Sequence, residues 1–392
     1  MAQPQYSTLL AAVQAVPDPR KARGKRYPWA VLLTVIVAGL ASNYQTARAI
    51  TQWVRLHFAA WQADVPELTR PPSESTLRRT LRLLDVTTLE QAVAAFVAGL
   101  PEPGGYPGCV LTPQGEILQG LALDGKTVRT ATAHGNRTHL VSQVTHGSGR
   151  TIAQTAVADK SAEVIASQTL LRGQDLSGMV ITMDAGLTHR GLAGQIRQQH
   201  GHYLMIVKAN HPQMYAELAT FFALPGILAD DERYDRCRTV SKGHGRLETR
   251  TLECLSGGCS DWRWPDAVQV VRRTCERQLR RKGKLKRSRK VSYGLTSLSA
   301  DDAGAVALEA LWRGHWTIEN RKHYVRDVTL GEDRHPMYRG TAPQALAAIR
   351  NGLIDLWRHR GWRSIADAVR ACAASLSATL TLIGALPERT LT

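Results

Sequence analysis

Two short apolar runs each end in an aspartate: Leu121-Ala122-Leu123-Asp124 and Val180-Ile181-Thr182-Met183-Asp184. Runs this short, bounded by glycine and polar residues, read as buried strands, because helices need ten or more residues. The first strand is expected over Ile117–Leu123 and the second over Met179–Met183. Between them, His139–Thr145 and Thr151–Val157 read as paired strands around His146-Gly147-Ser148-Gly149, and Ser161–Leu171 as an amphipathic helix. A helix over Thr188–His200 and a strand over Tyr203–Val207 follow. Strands that give way to strand–helix alternation imply a mixed α/β sheet.

The flanks differ in texture. The first hundred residues read as helical. Leu9, Leu10, Val13 and Val16 form a stripe that stops at Pro17-Asp18-Pro19. Tyr27–Ala41 is an apolar run of 15 residues behind the basic stretch Arg20–Arg26. It is shorter than the roughly 20 residues that span a bilayer, so it reads as a buried core helix. No other segment suggests a membrane span, which points to a soluble, intracellular protein. A further helix is expected over Thr46–Trp61. After Pro71-Pro72, Ser73 or Ser75 can cap a helix with Leu77, Leu81 and Leu84 on one side and Arg78, Arg79 and Arg82 on another. That basic side suits DNA phosphates or plain solvent.

Pro101–Gly108 reads as a linker. From about residue 230 to 293 the pattern is strand-like and basic, and Arg272–Lys290 holds eleven Lys or Arg with one acid, Glu276. Asp301 to about Leu330 reads as one long helix, and Ala342–Leu386 as two helices parted near Gly361. The expected organisation is a helical domain over 1–100, a catalytic α/β core over 115–340 with an insertion near 230–295, and C-terminal helices over 341–392.

The net charge of +17 suggests a polyanionic partner, most often nucleic acid. A hydrophobic content of 43% excludes a disordered or collagen-like chain. The six cysteines are scattered without a CxxC pair and read as reduced cytosolic thiols. Cys254, Cys259 and His244 match no common zinc module.

The acids Asp124 and Asp184 stand at the rim of the expected sheet, and Glu319 lies in Gly314-His315-Trp316-Thr317-Ile318-Glu319-Asn320 of the long helix. Singly, each is an ordinary turn or cap residue. Together they can hold two hard cations about 3.5–4 Å apart, the arrangement for in-line phosphoryl transfer. Asp327, Glu332 and Asp333 follow closely, so Glu319 is not the one candidate acid there. Trp312, His315, Glu319 and Arg326 share roughly one face of a 3.6-residue helix, which would set basic groups beside a metal-binding Glu.

These residues sit in an ordered set of stretches. They are Pro17-Asp18-Pro19-Arg20 with Arg23-Gly24, Leu123-Asp124-Gly125-Lys126-Thr127-Val128-Arg129, and Lys160-Ser161-Ala162-Glu163. Then come Thr182-Met183-Asp184-Ala185, Val207-Lys208-Ala209-Asn210, His244-Gly245-Arg246-Leu247-Glu248-Thr249-Arg250 and His315-Trp316-Thr317-Ile318-Glu319-Asn320, with Asp327-Val328 and Glu332-Asp333 last. The set resembles the DDE transposases of the H-repeat-associated, ISAs-type insertion-sequence group.

The resemblance implies an RNase H-like mixed-sheet core with a β-rich insertion before the final Glu, a family-specific helical N-terminal domain and C-terminal helices. It implies Asp124, Asp184 and Glu319 as the catalytic, metal-binding triad, with two Mg²⁺ or Mn²⁺ ions. The activity implied is binding of double-stranded element ends, phosphodiester hydrolysis and joining of 3′ ends to target DNA by a DNA-assembled homodimer in the bacterial cytoplasm, on the nucleoid. Strand transfer conserves phosphodiester bonds, and the chain has no P-loop signature, so no nucleotide cofactor is expected. A domesticated DNA-binding relative and a nuclease without strand transfer are the alternatives. A broader group carries Tyr, Arg and Lys where this chain has Trp312, His315 and Arg326, which puts a hairpin route in doubt.

Expected DNA contacts are Lys126, Arg129, His244, Arg246, His315 and Arg326, then Arg280, Arg281, Lys284 and Lys286 in the basic run, and Arg78 and Arg79 near the N-terminus. Trp262 and Trp264 could stack on a flipped base or fill a small core of the insertion.

Overall fold

The computed structural model describes residues 5–21, 25–101, 108–129, 135, 138–157, 160–223, 233–243, 245–257, 264–281, 284–335, 337 and 339–387. His244, Trp262, Cys259, most of the linker and the side chains of Arg281 and Lys284 lie outside the described residues.

One 10-stranded sheet runs through the molecule. It contains β1 (Cys109–Leu111), β2 (Ile117–Thr127), β3 (His139–Thr145), β4 (Thr151–Val157), β5 (Met179–Met183), β6 (His202–Val207), β7 (Tyr234–Gly243), β8 (Arg246–Ser256), β9 (Gln269–Arg281) and β10 (Lys284–Thr296). The order is β4-β3-β2-β5-β6-β10-β9-β8-β7, with β1 against β2. The β2–β3–β4 meander is antiparallel, while β5 lies parallel to β2 and β6 parallel to β5. This core is the mixed sheet of the RNase H-like fold.

Two strand expectations change. β2 does not stop at Leu123. Its parallel pairing with β5 ends at Leu123↔Met183, but β3 continues to pair with it from Asp124↔Ser142 to Thr127↔His139. Asp124 therefore sits inside a strand, at the point where one neighbour is lost. The insertion also extends the same sheet, because β10 pairs with β6 from Tyr293↔Val207 to Thr296↔Leu204. The basic run forms the outer part of the β9–β10 hairpin, and its inner ends bury Val270, Val271 and Leu295.

Helices cover both faces of the sheet. The α7 (Glu163–Leu171), α8 (Arg190–Gln198) and α9 (Pro212–Phe221) helices pack Leu171, Leu192, Ile196 and Leu218 against Ile181, Met183, Tyr203 and Met205. On the opposite face, α10 (Ala305–Gly314) packs Leu308, Leu311 and Trp312 against Val180 and Leu204. The period-2 alternation of strand side chains sorts these residues to the two faces.

The two ends of the chain share one hydrophobic core. Helices α1 (Leu9–Gln14), α2 (Trp29–Ala41), α3 (Ala47–Leu56), α4 (Phe58–Asp64), α5 (Glu74–Leu83) and α6 (Val86–Ala98) contribute Leu9, Val13, Leu32, Ile36, Trp61 and Val93. The Ala342–His359 (α12), Ile365–Ala374 (α13) and Leu376–Ile383 (α14) helices add Leu353, Trp357, Val369 and Ile383 to it. Each such side chain contributes about 1.5–3 kcal/mol through burial. Ser73 caps α5 as expected by accepting the Thr76 N–H. The Thr46–Trp61 helix is instead broken at His57, whose ring bonds the Trp53 carbonyl, and Trp61 then meets Trp53 edge-on at 5.3 Å. The tail has three helices, since Ser375 adds a break beyond the one at Gly361.

The long helix begins at Ala305 rather than Asp301, because Asp235 of β7 accepts the Ala305 N–H at 2.7 Å. Beyond α10 it runs through the short turn α11 (Trp316–Ile318) into π-helical turns over Glu319–His323 and Val325–Thr329. The Leu330 N–H reaches the Val325 carbonyl, five residues back. Bonds of that span widen each turn, so seven residues no longer return to the same face. Glu319 consequently faces outward while Arg326 is buried, against the shared face expected from a regular helix.

Candidate active site

Asp124, Asp184 and Glu319 line one cleft of ≈ 520 Å³. The register that places Leu123 beside Met183 sets the two aspartates side by side, one residue further along neighbouring parallel strands. The long helix crosses that sheet rim and supplies Glu319. Asp124 accepts the Gly125 N–H at 2.9 Å, and Asp184 accepts the Gly186 N–H at 2.7 Å. Lys208, after β6, stands 3.6 Å from Asp184.

Ligand atoms of Asp124, Glu319 and His323 all lie within 4.8 Å of one another. The imidazole of His323 donates Nδ1–H to Glu319 at 3.1 Å and stands 3.8 Å from Asp124. Its Nε2 is buried with no hydrogen-bond partner among the described residues. The hydrogen bond from His323 lowers the Glu319 pKa, and burial lowers that of His323. Asp124 behaves oppositely. Burial first, and the nearby Asp184 charge second, push it up to about 7. Glu163, also close by, adds to this repulsion; a Cβ on Gly125 would meet its carboxyl at 2.5 Å. Carboxylates whose charges push up the pKa of Asp124 in a half-buried cleft are a donor set suited to hard divalent cations, which would relieve the repulsion.

Sequence reasoning assigned no role to His323 or Glu163. The signal for His323 was its place four residues after Glu319, on the same helical side. A hydrogen bond that orients a metal-binding side chain typically supports metal affinity by about 10–100-fold. His323→Gln is therefore expected to weaken Mn²⁺ binding at least about tenfold with the circular dichroism spectrum unchanged. Unaltered affinity in a titration would remove this role.

The rival acids of the long helix are engaged elsewhere. Asp327 pairs with Lys126 at 2.5 Å, Asp333 lies 3.7 Å from Arg129, and Glu332 is buried between Arg326 at 2.7 Å and Arg350 at 3.0 Å. The same pairs correct two expected DNA contacts. Lys126 and Arg326 are buried ion-pair partners that tie the helix to β2 and α12, and neither faces solvent. His315 lines the cleft but is buried, shares the Thr182 hydroxyl with His146, and has its pKa held down to about 4, chiefly by burial. Trp264 is buried in the core of the sheet, edge-on to His211, and is not placed to stack on a base. The exposed tryptophan in the cleft is Trp316, which sequence reasoning passed over.

Other expected contacts are exposed. Arg129, Arg280 and Lys286 face solvent, as do Arg78, paired with Glu74, and Arg79. Arg246 lines the cleft, where Lys208, Arg250, Arg273, Arg277, Lys290 and Arg313 join it. Glu248 organises this wall by bonding Arg250 at 2.5 Å and Arg277 at 2.8 Å. Burial would raise its carboxyl, but Cys275, Arg277 and Arg250 outweigh that and hold it at about 2.

Among the described residues, no helix is long and apolar enough to cross a membrane. The family model described as Transposase DDE domain matches residues 116–354, and the model described as DDE_Tnp_1-associated matches residues 10–97. The candidate transposase YncI of Escherichia coli O157:H7 is 27% identical over 298 residues, which is 73% of this chain and 71% of that one. The H repeat-associated candidate transposase YhhI of E. coli strain K12 is 27% identical over 243 residues, 60% of this chain and 63% of that one. The solved synaptic complex of the piggyBac transposase with hairpin DNA aligns at 11% identity and a TM-score of 0.43, over 92% of this chain and 74% of that chain. With more than half its length matched by the DDE-domain model and its acids gathered on an RNase H-like sheet, the chain belongs to the DDE transposase family.

Proposed function

We propose that the chain binds the ends of its DNA element, hydrolyses phosphodiesters there and joins the freed 3′ ends to target DNA. The observation that carries this reading is one cleft lined both by Asp124, Asp184 and Glu319 and by a wall of cationic side chains from β8, β9 and β10. The acids suit divalent cations, while the wall suits the phosphates of a strand laid across them. Asp124, Asp184 and Glu319 would hold Mg²⁺ or Mn²⁺, two ions in all, and His323 would position Glu319. When bound, the ions supply a deprotonated oxygen nucleophile and stabilise the leaving oxygen. Arg246, Arg277 and Lys290 hold the backbone in register. The helical N-terminal unit with Arg78 and Arg79 assists end recognition, and pairing of two ends calls for a homodimer on DNA. The setting is the bacterial cytoplasm.

The test uses purified protein, duplex carrying the element ends and plasmid target. Nicks with 3′-hydroxyls, followed by joined product, are expected in Mg²⁺ or Mn²⁺ and not in Ca²⁺. Binding without nicking would replace the reading with a DNA-binding relative. Nicking without joining of pre-cut ends would replace it with a nuclease.

Each phosphate contact on duplex DNA contributes about 0.9 to the slope of log affinity against log salt. Arg246→Ala and Lys290→Ala are each expected to lower that slope by about 0.9, on any sequence. Equal slopes for wild type and both variants would take these residues out of the DNA path.

A further inference from the structure

Glu163 is an acid beside the centre that the proposed function leaves unused. It opens α7 and is only 9% exposed. Side chains of β2 alternate between the two faces of the sheet. Leu121 and Leu123 pack on the α7 face, whereas Ala122 meets Ile318 of α11. Asp124 therefore belongs to the long-helix face and position 125 to the α7 face. Position 125 is a glycine inside a strand, outside the left-handed region. Its backbone does not require glycine, but the space does, because a Cβ there would come within 2.5 Å of the Glu163 carboxyl. At the same point β5 ceases to pair with β2, after Leu123↔Met183. The open rim of β2 is thus flanked by Asp124 on one face and by the Glu163 carboxyl on the other.

Burial raises the Asp124 pKa, and the charges of Asp184, Glu319 and Glu163 add to it. Packing a buried carboxylate where it repels another costs stability, and a cation between them reverses the sign. The centre is also more than a cluster of acids. His323 is 5% exposed, with its Nε2 unpartnered among the described residues, and it offers a ligand atom within 4.8 Å of those of Asp124 and Glu319. We infer that Glu163 is a fourth acid ligand of this centre, binding one of the two divalent cations from the α7 face together with Asp124. The inference rests on the metal-dependent reading given above. The competing role for an acid at position 163 is to stabilise the N-terminus of α7 through the helix dipole.

The test is Mn²⁺ titration of the full-length protein without DNA, followed by electron paramagnetic resonance. Wild type is expected to bind about two ions. Glu163→Gln and Glu163→Asp are each expected to weaken one of them at least about tenfold, because charge count and ligand reach set affinity at oxygen-ligand sites. Gln removes the charge. Asp keeps it but withdraws it by one methylene, so a helix-end role would survive in that variant. Without metal, Glu163→Gln should melt at the wild-type temperature or above it, since a repulsion is gone. The rise in melting temperature on adding Mn²⁺ should shrink in both variants. Should the Gln variant fail to fold, the Asp variant gives the same readout. Wild-type Mn²⁺ affinity and stoichiometry in either variant would overturn the assignment and leave Glu163 as the helix-end acid. Failure of the wild type itself to bind Mn²⁺ would sink the whole metal centre, a separate result from a centre that binds and ignores position 163.

Discussion

Asp124→Asn, Asp184→Asn and Glu319→Gln are each expected to lower metal-dependent nicking of element-end DNA at least about 10³-fold, with DNA affinity in Ca²⁺ retained. A metal that polarises a phosphoryl oxygen and activates the nucleophile supplies several kcal/mol, and each 1.36 kcal/mol is tenfold in rate. The retained affinity follows from the cationic wall, which belongs to other residues. Folding should also be preserved. Asp124 is pushed up to about 7, mainly by burial, so its amide replacement removes repulsion rather than support. A gel assay on end-labelled duplex, beside a binding isotherm, reads both quantities. Nicking within tenfold of wild type in any of the three variants would take that acid out of the chemistry.

The second large effect concerns Glu332. Its carboxylate lies buried between Arg326 of the long helix and Arg350 of α12, and Arg350 also bonds the side chain of Gln45. Lys322 and Asp355 form a second buried pair between the same two helices. Loss of one partner leaves buried charge uncompensated, at a cost of about 3–5 kcal/mol. Glu332→Gln is therefore expected to lower folding stability by about that amount at neutral pH, measured by denaturant unfolding. Burial would raise the Glu332 carboxyl, but Arg326 and Arg350 outweigh it and hold it at about 2, below its ordinary 4.5. A depressed carboxylate stabilises the fold fully above its ordinary value and loses that contribution as pH falls through the folded one. The gap between wild type and variant should thus be largest above pH 4.5 and shrink towards pH 2. A gap that does not change with pH would mean the cost comes from packing alone.

Much of the site could be read in the sequence because it rests on local pattern. An apolar run ending in an acid is visible without a fold, so Asp124 and Asp184 stood out, and the mixed α/β sheet followed from strand–helix alternation, while the RNase H-like core was what the family resemblance implied. Partners were not visible. Lys126, Arg326 and His315 carry the residue types of phosphate contacts, yet Asp327, Glu332 and Thr182 turn them inward. The same acids looked like rivals of Glu319 for the same reason. The π-helical turns were invisible too, since the spacing of side chains does not reveal where backbone bonds span five residues instead of four. The continuity of β10 with β6 is a pairing between segments far apart in sequence, which no local pattern encodes.

Mn²⁺ binding followed by electron paramagnetic resonance tests the assembled acid centre most directly, because it needs neither DNA nor turnover. Wild-type protein is expected to bind Mn²⁺, with affinity falling at least about tenfold on each single substitution of Asp124, Asp184 or Glu319 and binding lost in the triple variant. Equal Mn²⁺ affinity in the wild type and the triple variant would contradict a metal centre built from these three side chains.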